Sequence, residues 1–260
     1  MTAPFAKKSL GQHFLLDPNL CAKIARLAGD VAGKAVIEVG PGPGGLTRAL
    51  IDAGATPLIA IEKDARFIDD LRALSPNISV IEADALEANE AALLTGHGVS
   101  GPAQIVSNLP YNVGTPLLVK WLKAGAWRGP MTLMFQKEVA ERIAAQPNTS
   151  AYGRLAVLAQ ARCHCEIVLH VPARAFTPPP KVDSAIVRLV DRADAYSDLN
   201  TLERVTAAAF GQRRKMLRSA LKSLGDPDSL CAAAGVDPTA RAETLTQMQF
   251  RALADALKAR

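Results

Sequence analysis

Asn108-Leu109-Pro110-Tyr111 brings three unlike chemistries to one point of the chain, directly after Ser107 and a short apolar run. Asn108 offers an amide oxygen as acceptor and an NH2 group as donor. Pro110 stiffens the turn and has no N–H, so the Leu109 carbonyl is released from ladder pairing and can face a ligand. Tyr111 adds a flat aromatic face. An amide, an unpaired carbonyl and a ring suit a planar heterocycle that carries an amino group, which is a nucleobase. The plain alternative is a β-turn with a core tyrosine, and the rest of the sequence decides between the two.

A second constellation lies upstream. Glu38-Val39-Gly40-Pro41-Gly42-Pro43-Gly44-Gly45 follows an apolar run, Glu62 ends the next run, and Asp84 follows the third. Glycines at such a turn let the backbone approach a ligand closely. Gly40, Gly42 and Gly45 satisfy the dinucleotide pattern G-x-G-x-x-G, so a nicotinamide-dependent dehydrogenase is a rival on this motif alone. Two features argue against it. Pro41 and Pro43 remove amide donors that a pyrophosphate would use. Glu38 is a poor neighbour for phosphates and a good one for a ligand carrying a sulfonium and an ammonium. Asp84 is suited to accept from the exocyclic amine of an adenine, or to cap a turn.

These residues need elements to hold them. Asp17-Pro18 reads as an N-cap with proline at the first helical position, and Gly29 as the stop of that helix. Strands are predicted at residues 35–39, 58–61, 78–81, 131–135 and before Asn108, with helices between them. This alternation gives an α/β fold with a mostly parallel, Rossmann-like sheet. Late strands at 167–169 and 184–190, flanking Pro178-Pro179-Pro180, predict an antiparallel edge. Beyond about Asp191 the pattern is helical only, with helices expected over 202–210, 216–224, 230–234 and 250–257. The sequence therefore divides into residues 1–190, carrying the ligand site, and a small helical domain, 191–260.

The chain has 260 residues, 49% of them hydrophobic, enough for one large and one small domain and against global disorder. Its net charge of +5 favours polyanionic partners. Four scattered cysteines make no disulfide framework, and Cys163-His164-Cys165 lacks a second ligand pair, so no metal site is expected. There is no signal-peptide pattern and no run of 18 apolar residues, and a cytoplasmic location is expected.

Taken together, the Glu38–Gly42 turn, Glu62, Asp84 and the Asn108–Tyr111 motif resemble class I S-adenosylmethionine-dependent methyltransferases that modify adenine. Further segments sharpen the resemblance to the ribosomal RNA adenine dimethyltransferases, in collinear order from about residue 7 to 220. Residues 8–15 (Lys8-Ser9-Leu10-Gly11-Gln12-His13-Phe14-Leu15) resemble their N-terminal cofactor lid, and Phe135–Arg142 their fifth strand–helix unit. Phe176–Ser184 resembles their substrate-side loop, and Phe210–Leu217 the start of their basic C-terminal region. The bacterial small-subunit enzymes of that family are most similar. His13 stands where asparagine is common in relatives.

The resemblance implies that His13, Leu15 and Gly40 hold the methionine part of S-adenosylmethionine, Glu62 the ribose hydroxyls and Asp84 the adenine amine. It places Asn108 between cofactor and target base. It also implies a monomer that modifies two adjacent adenosines in the small ribosomal subunit precursor, giving dimethyladenosine during ribosome assembly. In the mechanism this suggests, the target amine donates to the Asn108 amide oxygen and the Leu109 carbonyl, which localises its lone pair toward the methyl group. Tyr111 is expected to stack on one face of the base and Phe176 on the other. The small Ser107 and Gly114 are compatible with a second methylation. Arg213, Arg214, Lys215, Arg218 and Lys222 form a basic cluster for RNA, with Arg214, Arg218 and Lys222 expected on one helix face. Rival readings are an adenine methyltransferase acting on DNA or large-subunit RNA, and a non-catalytic assembly factor.

Overall fold

The computed structural model describes Ala6, Lys7 and residues 11–260. Strand β1 is Phe14–Leu15, followed by helix α1 (Pro18–Leu27), β2 (Val36–Val39), α2 (Gly45–Asp52), β3 (Leu58–Glu62), α3 (Ile68–Arg72) and β4 (Ile78–Glu82). Then come α4 (Glu90–Gly96), β5 (Ala103–Asn108), α5 (Gly114–Leu122), β6 (Arg128–Gln136), α6 (Lys137–Ala144) and α7 (Arg154–Arg162). β7 (Cys163–Val171), β8 (Phe176–Thr177) and β9 (Ser184–Asp191) complete the strands. α8 (Leu199–Gly211), α9 (Leu217–Ala220), α10 (Pro227–Ala234) and α11 (Gln247–Lys258) follow. Among the described residues no helix is long and apolar enough to cross a membrane.

Contacts divide the chain into two compact units, residues 1–140 with 166–190, and residues 141–165 with 191–260. The division read from sequence differs in one respect: residues 141–165 cluster with the helical C-terminal segment. The reason is α7. Leu155, Ala156, Val157, Leu158, Ala159 and Ala161 are all buried, so this helix is apolar nearly all round and packs against α8 and α11.

The first unit is a seven-stranded sheet in the order β4-β3-β2-β5-β6-β9-β7. β4, β3, β2, β5 and β6 are mutually parallel, and β9 joins β6 antiparallel, as the late strands predicted. Val36, Ile37, Ile59, Ile105 and Val106 have no measurable exposure, as expected for strands covered on both faces. The strand order reverses between β2 and β5, and a crevice forms beyond their carboxyl ends at such a switch point. Ser107 closes the join: its hydroxyl donates to the Val39 carbonyl at 2.5 Å.

A two-stranded antiparallel ribbon, β1 with β8, pairs Phe14 with Thr177 and Leu15 with Phe176. It ties the N-terminal segment beside the crevice. At α1, Asp17 caps the Asn19 amide at 2.9 Å, with Pro18 at the first turn, and Gly29 follows in the left-handed region at φ 87°.

The second unit is helical. α11 packs against α8, α7 and α10. Phe210 stacks on Phe250 at 5.4 Å between centroids, and Tyr152 meets Phe210 edge-on. The buried Tyr152 hydroxyl donates to the Leu245 carbonyl at 2.9 Å. α11 opens with a capping box formed by Thr246 and Gln249.

Candidate active site

A cavity of about 180 Å³ lies at the switch point. Its walls come from the strap at residues 11–15, the glycine turn after β2, the end of β3, the start of the loop after β4, and the turn after β5. Of the ligand-site residues read from sequence, His13, Leu15, Gly40, Glu62, Asp84, Asn108, Leu109, Pro110 and Tyr111 all line it. Lys8, Ser9 and Leu10 of the N-terminal motif lie outside the described residues.

The glycine turn uses its own donors. Gly40 N–H donates to Ile61 O, Gly42 N–H to Glu62 Oε2 at 2.9 Å, and Gly44 N–H to Pro41 O. Pro41 and Pro43 have none to give. The turn therefore offers little to a pyrophosphate, which removes the main argument for the dehydrogenase reading. Gly40 has φ 67°, and a Cβ there would lie 3.2 Å from Pro110 Cδ, so glycine lets the two turns meet.

Three carboxylates face the cavity in different states. Glu38 is 1% exposed, its Oε2 is buried without a hydrogen-bond partner, and burial, aided by the nearby Glu62 charge, pushes it up to about 8. An orphaned acidic oxygen on a cavity wall fits a cationic ligand group. Glu62 accepts from Gly42 N and from Asp64 N at 2.8 Å. Burial raises its pKa above the ordinary value, while these amides hold the carboxylate in place. Its remaining lone pairs suit hydroxyl donors. Asp84 is half-buried and pairs with Lys63 at 2.8 Å. That ammonium, with the Leu86 amide, holds the carboxyl below the usual range, ready to accept from an amine.

At the other end, Asn108 donates through Nδ2 to the His13 carbonyl at 3.2 Å. A carbonyl can only accept, so this bond fixes which way the amide faces. Among the described residues, neither Asn108 Oδ1 nor the Leu109 carbonyl receives a hydrogen bond. The next carbonyl, Pro110 O, is engaged by Val113 N and Gly114 N and starts α5. The motif thus presents two adjacent unpaired acceptors on a fixed frame. Tyr111 is half-buried, bonded through its hydroxyl to Ser184 Oγ at 2.7 Å, with its ring centroid 5.3 Å from that of His13. His13 Nδ1–H donates to the Pro178 carbonyl at 2.8 Å.

Three expectations need correction. Phe176 is 3% exposed and lines neither cavity. Its pairing with Leu15 turns the ring into a core with Val106, Val171 and Ile186, so it offers no stacking face. Ser107 is buried with its hydroxyl spent on Val39, and Gly114 lines only a smaller pocket of about 10 Å³ beside Tyr111. Arg214, Arg218 and Lys222 do not share one helix. α8 stops at Gly211, residues 212–215 form a turn, and Leu217–Ala220 and Leu221–Leu224 are separate short helical pieces. Arg214, Lys215, Arg218 and Lys222 are exposed, whereas Arg213 bonds Glu243 at 2.9 Å and Thr149 O at 3.3 Å.

One positioning group escaped the sequence reading. Asp64 is 2% exposed and accepts from Gln12 Nε2 at 3.0 Å, Lys7 Nζ at 3.2 Å and Arg66 Nε at 2.9 Å, which anchors the strap to the end of β3. Its position two residues after Glu62 was the available signal.

A profile of the ribosomal RNA adenine dimethylase family matches residues 5–259. The chain belongs to that family. It is therefore an S-adenosylmethionine-dependent methyltransferase of ribosomal RNA adenosines, and RNA binding and association with the ribosome follow at family level. Similar relatives include the Ribosomal RNA small subunit methyltransferase A of Phenylobacterium zucineum, 59% identical over 98% of this chain and 90% of that one. The protein of the same name from Caulobacter vibrioides is 56% identical over 96% of this chain and 97% of that one. Among solved structures, a dimethyladenosine transferase from Plasmodium falciparum superposes with a TM-score of 0.77 at 25% identity, over 93% of this chain and 96% of that one. The 23S rRNA methyltransferase ErmE gives 0.68 at 30% identity, over 94% and 99%. The class I methyltransferase fold, with its mixed sheet and helical C-terminal region, is common to this chain and these structures.

Proposed function

We propose that this family member dimethylates two adjacent adenosines of small-subunit ribosomal RNA during subunit assembly. The observation that carries the catalytic part is the pair of unpaired acceptors, Asn108 Oδ1 and Leu109 O, on a turn held by the Asn108 Nδ2, Pro110 O and Tyr111 hydroxyl bonds. The preference for the small subunit is supported by the 59% identical relative of that name.

S-adenosylmethionine supplies an electrophilic methyl group on a sulfonium. Around it, Glu38 offers its unpartnered oxygen to the cationic end, Glu62 accepts from the ribose hydroxyls, and Asp84 accepts from the adenine amine. His13, Leu15 and Gly40 enclose the methionine part. The target base leaves its stack to enter the site, as any base modified at a ring-edge amine must. In the first transfer its amine would donate both protons, to Asn108 Oδ1 and Leu109 O; in the second its one remaining N–H would keep one of these acceptors, the nitrogen lone pair being turned toward the methyl group each time. Fixed dipoles aimed at a developing ammonium lower the barrier without a strong general base, because the proton becomes acidic once nitrogen is alkylated. Tyr111, held by Ser184, stacks on the base, a contact worth ~1–3 kcal/mol. Phe176 serves as packing beneath the strap.

The exposed Arg214, Lys215, Arg218 and Lys222 dock RNA phosphate, with Arg213 as a strut inside the second unit. The reading includes a monomer working in the cytoplasm. The test is nucleoside mass spectrometry after reaction with under-methylated small subunits, beside large subunits and duplex DNA. Dimethyladenosine in small subunits alone supports the proposal. The 30% identity to the 23S enzyme keeps one second reading, and methylated large-subunit RNA would establish it. Tight subunit binding with no methylation anywhere would favour a non-catalytic assembly role.

A further inference from the structure

We propose that Lys120 is a positioning residue for the adenine end of the cofactor cavity, holding the loop that carries Asp84. This rests on the reading that Asp84 accepts from the adenine amine.

Lys120 lies on α5. Its Nζ donates to the Ala85 carbonyl at 2.7 Å, the Ala88 carbonyl at 2.6 Å and Glu90 Oε1 at 2.9 Å. An ammonium has three protons, and these bonds use all three. Glu90 is 3% exposed, and its same oxygen also accepts from Nε1 of the fully buried Trp121 at 2.8 Å. The connection from β4 to α4 therefore wraps around one charge. Asp84 opens that connection. Its carbonyl accepts from Glu87 N and Ala88 N, and its carboxylate from Leu86 N at 2.9 Å. The turn is knotted to itself and hangs from Lys120 through Ala85 and Ala88. Ala83, Asp84 and Ala85 form the cavity wall. The Lys120 charge also contributes to keeping the Asp84 carboxyl ionised, after the larger effects of Lys63 and the Leu86 amide. Without the ammonium, two loop carbonyls lose their donor and the buried Glu90 carboxylate loses its counter-charge, which forces the loop to rearrange.

The same helix begins at the acceptor turn, where Val113 N and Gly114 N bond Pro110 O. From Gly114 to Lys120 the helix rises about 9 Å at 1.5 Å per residue. One rigid element thus holds the wall around Asp84 in register with Asn108, in a reaction that depends on fixed mutual orientation.

Lys120→Met keeps the apolar stem and removes the donors. The probes are S-adenosylhomocysteine and its inosine counterpart, in which an oxygen replaces the adenine amine, measured by titration calorimetry. The wild type should prefer the adenine form. Lys120→Met should lose about tenfold in affinity for it, with much less change for the inosine form, so that the preference collapses. A general loss of packing would weaken both probes alike and would overturn the proposal. Asp84→Ala run in parallel separates the two layers of the argument. Preference lost in Asp84→Ala but kept in Lys120→Met overturns the role of Lys120 and leaves Asp84's role standing. Preference kept in Asp84→Ala overturns the reading of Asp84 itself, and the proposal with it. Should Lys120→Met not fold, Glu90→Gln removes only the counter-charge. It should reduce the preference in the same direction, and an unchanged preference there would contradict the proposal.

Discussion

Glu38 is the side chain whose surroundings leave it least at ease. It is an acid with an unpartnered buried oxygen, raised to about 8 by burial. Its proton is held more tightly in the folded chain than in the unfolded one, whose ordinary value is 4.5. Between about pH 4.5 and pH 8 the folded state therefore binds more proton, and stability falls as pH rises through that window. Glu38→Gln abolishes this dependence. Without cofactor, the variant should melt near the wild type at pH 4.5 and above it at pH 8.5, by an amount on the order of a few kcal/mol. A difference that does not vary with pH would contradict the assignment. The acid was legible in the sequence as a neighbour unsuited to phosphate. That its Oε2 is buried without a partner was not, because this depends on where the surrounding side chains and backbone settle in three dimensions. Phe176 teaches the converse. A motif made it a stacking candidate, and a pairing partner 161 positions away, Leu15, sets its ring in the core.

The elements that carry the site follow from local pattern. Each parallel strand was visible as an apolar run ending in a polar or glycine residue, and the chain at the ends of β2, β3, β4 and β5 supplies cavity wall. The β1–β8 ribbon was not visible, since two-residue strands have no periodicity and their pairing is set entirely by tertiary context. The gap at residues 211–215 was legible, since the predicted helices stop at 210 and restart at 216, and the chain turns there with Met216 bridging to Arg241. The split of the second helix into Leu217–Ala220 and Leu221–Leu224 was not, because nothing in that run opposes helix strongly. The ribbon's position has a consequence at α2. A Cβ on Gly45 would collide with the Leu15 carbonyl oxygen. Gly45→Ala should therefore push the strap off the first turn of α2, costing ~1–3 kcal/mol of stability. Stabilisation of the protein by S-adenosylhomocysteine in thermal melts should fall with it. Retained stabilisation would mean that the strap does not enclose the ligand.

For the whole molecule, a net charge of +5 sets a general attraction to RNA, and pairing within the second unit divides its cations into two kinds. Arg218 is exposed, whereas Arg213 is tied to Glu243 and Thr149. Arg218→Gln should lower the salt slope of RNA binding by roughly 0.7–1 with no change in melting temperature. Arg213→Gln should lower the melting temperature, and equal salt slopes for the two variants would contradict the distinction. Chemistry, cofactor and RNA meet in one experiment, single-turnover methyl transfer to small-subunit RNA at saturating S-adenosylmethionine, comparing the wild type with Asn108→Ala. Removing one of two fixed acceptors should slow transfer about 10²–10³-fold while RNA affinity is kept. A transfer rate within about threefold of the wild type would contradict the account, because the Asn108 amide would then not be holding the amine.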